Sequence, residues 1–251
     1  FHCQGYVDVG GLRFHCVNAT AHGELDLTGA LEQSCNCYFI NAARALGGQE
    51  ILTMAYNLGF GTAQEFGRGL WTSSGDLPSL SGLENVRALA NFSFGQGDLT
   101  VTPLQLCAMM NAICSGGVYA SPKLIEGVVN TQGELSPASS QEDVSRKAMS
   151  ASTSQILKAA LVSAAQEGTG QVAAPSNGTA GIKTGTAQTG VFQGEEELLH
   201  FWYSGFVQGK DGVCYCITVL KESAVSGQED AAQVFQEVAQ GILALGDEKG
   251  N

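Results

Sequence analysis

Lys183, Thr184, Gly185 and Thr186 are the residues whose types and spacing best suit chemistry. They lie in the run Gly181-Ile182-Lys183-Thr184-Gly185-Thr186-Ala187-Gln188. Beta-branched neighbours read as strand, where a lone glycine marks a bulge or a close backbone approach. Side chains alternate along a strand, so Thr184 and Thr186 share a face. Two hydroxyls, a bare glycine and an ammonium suit an extended ligand ending in a carboxylate. An ordinary strand with a surface lysine is the plainer alternative. The second candidate is Ser34-Cys35-Asn36, a polar tripeptide inside an apolar helical pattern. Buried there, Ser34 and Asn36 need partners. They either project from a helix–turn–helix corner into a cleft or cap the next helix.

Other chemistries find little support. The four histidines (His2, His15, His22, His200) show no metal-ligand spacing. The eight cysteines include Cys3, Cys16, the pair Cys35 and Cys37, and the pair Cys214 and Cys216, but no C-x-x-C pair. The expectation is therefore no metal and no cofactor, with thiols packed as small apolar groups. Cys3 and Cys16 could staple a hairpin in an oxidising compartment. There is no G-x-S-x-G elbow and no P-loop. Gly168-Thr169-Gly170-Gln171-Val172-Ala173 imitates a dinucleotide fingerprint but follows a helix pattern, not a strand.

Composition narrows the field. The 251 residues suffice for a full core, and the hydrophobic share of 44% suits a folded globular chain. Twelve basic against 24 acidic residues leave a net charge of −12, which repels phosphate backbones and argues against nucleic acid as a partner. An anionic ligand would need a local positive centre, which makes Lys183 more telling. No apolar run approaches the ~18–20 residues of a membrane span. The chain opens at Phe1 without an initiator Met, so a membrane anchor is expected, if anywhere, upstream.

The elements that must position these groups can be read in order. Residues 1–23 suggest short strands and turns. Helical spacing begins at Leu25, is interrupted at Ser34-Cys35-Asn36 and stops at Gly47-Gly48, with a second helix over 51–58. Residues 59–83 read as a long surface loop. Thr102-Pro103-Leu104-Gln105 is a capping-box start for a helix apolar nearly all round, expected to be central and buried. Residues 118–129 read as strands. Ser152 and Gln155 suggest another capping box, with a helix running to about residue 166. From Gly181 the period becomes two: a first strand, an acidic loop at Glu195-Glu196-Glu197, a second strand over 199–207, a turn at Gly209-Lys210-Asp211-Gly212 and a third strand over 213–220. Phe235, Val238, Ala239, Ile242 and Leu243 form a last helix ending at Gly246. The layout is α+β: a mainly helical part over about 1–175, then an antiparallel meander and C-terminal helix over 176–251.

S-x-N followed by K-T-G before such a meander resembles the penicillin-recognising serine acyltransferases. His22-Gly23, Ser34-Cys35-Asn36 before Tyr38-Phe39, Phe94-Gly95-Gln96-Gly97, Thr102-Pro103-Leu104-Gln105, Lys183-Thr184-Gly185-Thr186-Ala187 and His200-Phe201-Trp202-Tyr203-Ser204-Gly205 resemble the transpeptidase domain of class B penicillin-binding proteins. They occur in that family's order over nearly the whole chain. The resemblance implies the penicillin-binding protein/β-lactamase-like fold. It also implies a D,D-transpeptidase that cross-links peptidoglycan stem peptides through a serine acyl-enzyme. Ser34 would relay protons, Asn36 orient the substrate amide and Lys183 supply positive potential. The Thr184 and Thr186 hydroxyls would hold the terminal carboxylate around Gly185, and the Thr186 N–H would serve the oxyanion.

The implied partners are D-Ala-D-Ala stem ends, β-lactams and an envelope glycosyltransferase, on the extracytoplasmic face of a bacterial membrane. The family's nucleophile sits in S-x-x-K, and none of the seven lysines here has a serine three residues before it. The expectation is an N-terminally incomplete domain lacking the nucleophile and the first sheet strands, and inactive alone. A β-lactamase, for which Glu126-Gly127-Val128-Val129-Asn130 offers an E-x-x-x-N pattern, and a non-catalytic peptide- or β-lactam-binding module are the alternatives.

Overall fold

The computed structural model describes residues 1–67, 69–125, 127–137, 144–210, 212–225 and 230–248. Four short strands open the chain. β1 (His2–Cys3) pairs with β4 (Gly23–Glu24), and between them β2 (Tyr6–Val9) pairs with β3 (Leu12–His15). Then come α1 (Leu27–Glu32), α2 (Asn36–Leu46) and α3 (Gly48–Asn57). The 59–83 stretch is largely irregular, carrying the small ribbon of β5 (Glu65–Gly67) and β6 (Leu70–Trp71). After it stand α4 (Val86–Ser93) and α5 (Pro103–Cys114). β7 (Val118–Ala120), β8 (Gly127–Val129), β9 (Leu135–Pro137) and β10 (Ser145–Lys147) lead into α6 (Ala151–Glu167). The chain closes with β11 (Thr179–Gln193), β12 (Glu196–Gln208), β13 (Cys214–Ala224) and α7 (Ala231–Glu248).

Several sequence expectations are corrected by packing. Gly47 does stop α2, as its C-cap at φ 88°, but the next helix starts at once instead of at residue 51. Gly48 begins α3, because a Cβ there would lie 2.8 Å from the Leu83 side chain. The helix α4 follows Asn85, whose side chain accepts from the Arg87 and Ala88 N–H groups. Ser150, not Ser152, caps α6 through the Thr153 N–H. Glu196 and Glu197 belong to β12, paired with Gln193 and Phe192, so the acidic loop contracts to a tight turn. α7 continues through Gly246. Thr102 and Gln105 do form the capping box of α5. Gln105 is buried and its side chain also donates to the Gly59 and Ser74 carbonyls, tying the irregular stretch to the core. Glu126 and Asp211 lie outside the described residues.

β11, β12 and β13 form an antiparallel sheet in that order. One face packs on α7: Ile182, Val207 and Ile217 meet Phe235, Ala239 and Leu243. The other face takes α5 and α6, where Phe206 joins Met110, Ala112, Ile113 and Leu161. Two glycines let the first strands close. A Cβ on Gly205 would stand 2.2 Å from the Gly181 carbonyl oxygen, and one on Gly181 would stand 2.4 Å from the Phe206 ring. Gly205→Ala is expected to cost about 3 kcal/mol in urea unfolding, the upper part of the overpacking range, because the obstacle is backbone. An unchanged midpoint would contradict this packing.

Candidate active site

Ser34 sits where α1 ends. The Cys35 N–H reaches back to the Ala30 carbonyl at 2.9 Å, and Ser34 takes φ 49°. This is the left-handed closing position usually filled by glycine. A serine here costs about 1 kcal/mol of backbone strain, and such positions cluster at functional sites. Cys35 is the N-cap of α2 but gives no side-chain cap, so the tripeptide does not serve as a helix cap. Asn36, half-buried in the first turn of α2, donates from Nδ2 to the His15 carbonyl at 3.0 Å. Its Oδ1 is thereby turned the other way.

Lys183 meets this corner across 149 residues of chain. Its Nζ donates to Ser34 Oγ and to the Thr184 carbonyl, both at 2.8 Å. Ile182 is fully buried on the α7 side, so alternation sends Lys183 and Gly185 to the α5/α6 side and keeps Thr184 and Thr186 on the α7 side. The ammonium and the hydroxyls therefore do not share a face. β11 is the end strand of its sheet, so its outer edge lies between the two faces.

Two contacts fix the direction of that edge. The Thr184 carbonyl is taken by Lys183, and the Thr186 carbonyl accepts from Gln96 Nε2 at 3.5 Å. Both carbonyls therefore point away from β12. In an antiparallel strand the N–H of a residue points with its C=O, so the Thr184 and Thr186 N–H groups line the open edge. A Cβ on Gly185 would meet only Trp202 Cβ, at 3.5 Å. Sheet packing does not demand glycine there, so its bareness leaves the surface beside Lys183 on the α5/α6 face clear.

Sequence reasoning passed over three contributors. Thr169 Oγ1 lies 3.0 Å from Thr184 Oγ1, which donates to it. Thr169 reaches this place because a Cβ on Gly168 would stand 2.6 Å from the Glu32 carbonyl; only a glycine lets the segment press against α1. The glycines of the false dinucleotide fingerprint were the signal. Gln96, noted only within its motif, and the His15 carbonyl complete the set.

Burial pulls the Lys183 ammonium down from an ordinary 10.5 to about 8. The unfolded chain then binds more protons between these values, so the protonated amine disfavours folding below about pH 8 and the penalty fades as pH rises towards 10.5. Measured against Lys183→Met, which removes this titration and leaves the other ionisable groups in place, native stability should rise from about pH 8 to about pH 10. Paired urea titrations check this, and a difference flat with pH would contradict it.

The model of the penicillin binding protein transpeptidase domain matches residues 1–240. Stage V sporulation protein D of Bacillus subtilis is 30% identical over 190 residues, covering 75% of this chain and 29% of that protein. Penicillin-binding protein PbpB of Mycobacterium tuberculosis is 31% identical over 194 residues, covering 73% of this chain and 27% of its own length. The chain thus spans less than a third of these relatives. Penicillin binding protein 3 of M. tuberculosis, solved in complex with aztreonam, superposes with a TM-score of 0.82 at 24% identity, covering 98% of this chain and 57% of that one. With six ordered motifs in the sequence, the family model matching nearly all of it and the same α+β fold in a solved relative, this chain belongs to the penicillin-binding protein transpeptidase domain family.

Proposed function

We propose that these residues form the carboxylate-binding wall and proton-relay corner of a peptidoglycan D,D-transpeptidase. The observation that carries this reading is the 2.8 Å Lys183 Nζ to Ser34 Oγ hydrogen bond, which joins the S-x-N corner to the K-T-G strand. In the proposed reaction a serine of an S-x-x-K segment attacks the penultimate D-alanine carbonyl. The serine Oγ–carbon bond forms, the amide C–N bond breaks, and D-alanine leaves with a proton delivered through Ser34. The amine of a neighbouring stem then attacks the ester, restoring the serine and forming the cross-link.

Each residue has a definite part. Lys183 keeps Ser34 Oγ oriented as acceptor, so that its own O–H can face the leaving amine. Asn36 Oδ1, freed by the Nδ2 bond to His15, accepts the substrate amide N–H. The Thr186 hydroxyl, and the Thr184 hydroxyl on turning its proton from Thr169, bind the terminal carboxylate at the strand edge, with Gly185 giving clearance. The Thr186 N–H, directed outwards, is one oxyanion donor. No serine stands three residues before any lysine in these 251 residues, so the nucleophile is contributed from outside them. β-Lactams, as mimics of the D-Ala-D-Ala end, are the inhibitors this site takes. The site of action is the bacterial envelope, with a glycosyltransferase supplying the glycan strands. Among the described residues no helix is long and apolar enough to cross a membrane.

The β-lactamase reading is less well supported. Asn130 is occupied in the β8–β9 hairpin, where Oδ1 accepts from the Gln132 and Glu134 N–H groups at 2.9 Å. An extended form of the chain carrying an upstream S-x-x-K segment discriminates the readings. It should form a long-lived penicilloyl-enzyme and exchange the terminal D-alanine of a stem pentapeptide for a free D-amino acid. Rapid turnover of penicillin would establish the lactamase, and binding without either reaction the non-catalytic module.

A further inference from the structure

Four chain segments that are remote in sequence bring sulfur and imidazole donors together beneath the S-x-N corner. Cys3 comes from β1, Cys16 follows β3, His22 precedes β4, and Cys35 lies between Ser34 and Asn36. Cys3, Cys16 and Cys35 are 0–2% exposed. Cys3 Sγ is 3.7 Å from Cys16 Sγ and 3.5 Å from His22 Nδ1, and Cys16 Sγ is 3.7 Å from Cys35 Sγ. All four donor atoms lie within 4.8 Å of one another.

These separations have a physical meaning. Tetrahedral zinc with Zn–S near 2.3 Å and Zn–N near 2.0–2.1 Å sets S···S edges of about 3.8 Å and S···N edges of about 3.6 Å. A disulfide would require about 2.05 Å, and all eight cysteines are free, so the staple between Cys3 and Cys16 is not formed. Thiols packed merely as apolar filler have no reason to space their sulfurs as tetrahedron edges or to turn an imidazole nitrogen towards one of them.

We propose that Cys3, Cys16, His22 and Cys35 are a structural zinc site of Cys3His type. This reverses the expectation of no metal, which rested on the absence of C-x-x-C pairs. The ligands are gathered by the β1–β4 fold instead of by local spacing. An outer shell is also present: the Gly5 N–H donates to Cys3 Sγ at 3.4 Å, and Cys37 Sγ lies 3.4 Å from Cys16 Sγ. Such hydrogen bonds hold metal-bound thiolates in place. Four protein donors leave no open position for water or substrate, so the metal is structural.

The site also bears on the reacting groups. Cys35 is covalently next to both Ser34 and Asn36, and Cys16 is next to His15, whose carbonyl holds Asn36. One ion would therefore pin both anchors of that corner, and Ser34 in its strained conformation with them. The inference does not depend on the transpeptidase reading, since it concerns binding by this chain alone.

The test uses the 251-residue chain purified under reducing conditions. Elemental analysis should find about one zinc per chain. Replacement by Co2+ should give tetrahedral ligand-field bands with thiolate-to-cobalt charge transfer. Cys16→Ser and His22→Ala should lose the metal, while Cys107→Ser and Cys214→Ser keep it. His22→Cys, which restores four donors, should bind again with stronger charge transfer, separating lost ligation from lost folding. Chelation should hasten amide exchange over 33–37 more than in β12. Less than about a tenth of an equivalent with no cobalt spectrum, a Cys3–Cys16 disulfide in the freshly reduced chain, or metal retained in Cys16→Ser would each overturn the proposal.

Discussion

In the chain extended upstream by an S-x-x-K segment, Lys183→Ala should lower the second-order rate of acylation by a fluorescent penicillin about 10²–10³-fold, the scale of losing a preorganised electrostatic donor. Ser34→Ala should cost a similar factor, within the range of general acid–base contributions. Because Nζ acts largely through Ser34 Oγ, the double variant should be little worse than either single one, as residues working as a unit are non-additive. Thermal stability should hardly move. Lys183 bears a desolvation penalty that pulls its pKa down to about 8, and Ser34 lies in a conformation that alanine tolerates no worse. Stopped-flow acylation with parallel melting curves checks these outcomes. Normal acylation in both variants would remove the assigned roles; equal losses in rate and melting temperature would show a structural role only.

The legible parts of this molecule were those with local causes. Period-two apolar alternation from Gly181 onwards marked the three-strand meander, and the Thr102–Gln105 capping box marked α5. The K-T-G strand and the S-x-N corner were both visible as residues. Alternation puts Lys183 on the face opposite Thr184 and Thr186, but no local pattern could show that Lys183 reaches Ser34 or that β11 is the end strand of its sheet. Thr169 was missed for the same reason: its position follows from the close approach of Gly168 to the α1 backbone. Gly47 stops α2 as read, but the start of α3 was placed at residue 51 because Gly48, a glycine needed for contact with Leu83, has the same letter as one that ends a helix. The four donors of the cysteine–histidine cluster lie on separate segments, so no spacing rule finds them.

The tripeptide Ser34-Cys35-Asn36 thus joins two kinds of control. Its outer residues bond Lys183 and the His15 carbonyl, the contacts on which their proposed roles rest, and its central cysteine faces inwards to the cluster. A strained serine persists only where its surroundings over-determine it. Here the Cys35-to-Ala30 backbone bond and the Lys183 contact hold it, and a bound metal would add a third constraint.

The most direct test is made on the 251-residue chain itself. In the proposed reading Lys183, Ser34, Asn36 and the β11 edge supply positive potential, proton relay and carboxylate binding, while the 251 residues hold no serine paired to a lysine by S-x-x-K spacing. Ser34 is the hydroxyl nearest in kind, yet the Lys183 hydrogen bonded to it lies 149 positions away, on the strand assigned to carboxylate binding. Incubated with benzylpenicillin and weighed intact by mass spectrometry, the chain should keep its unmodified mass, while the form extended by an S-x-x-K segment gains one penicilloyl group. A stoichiometric penicilloyl adduct on the 251-residue chain, mapped to Ser34 or any other serine, would contradict the division of labour proposed for this site.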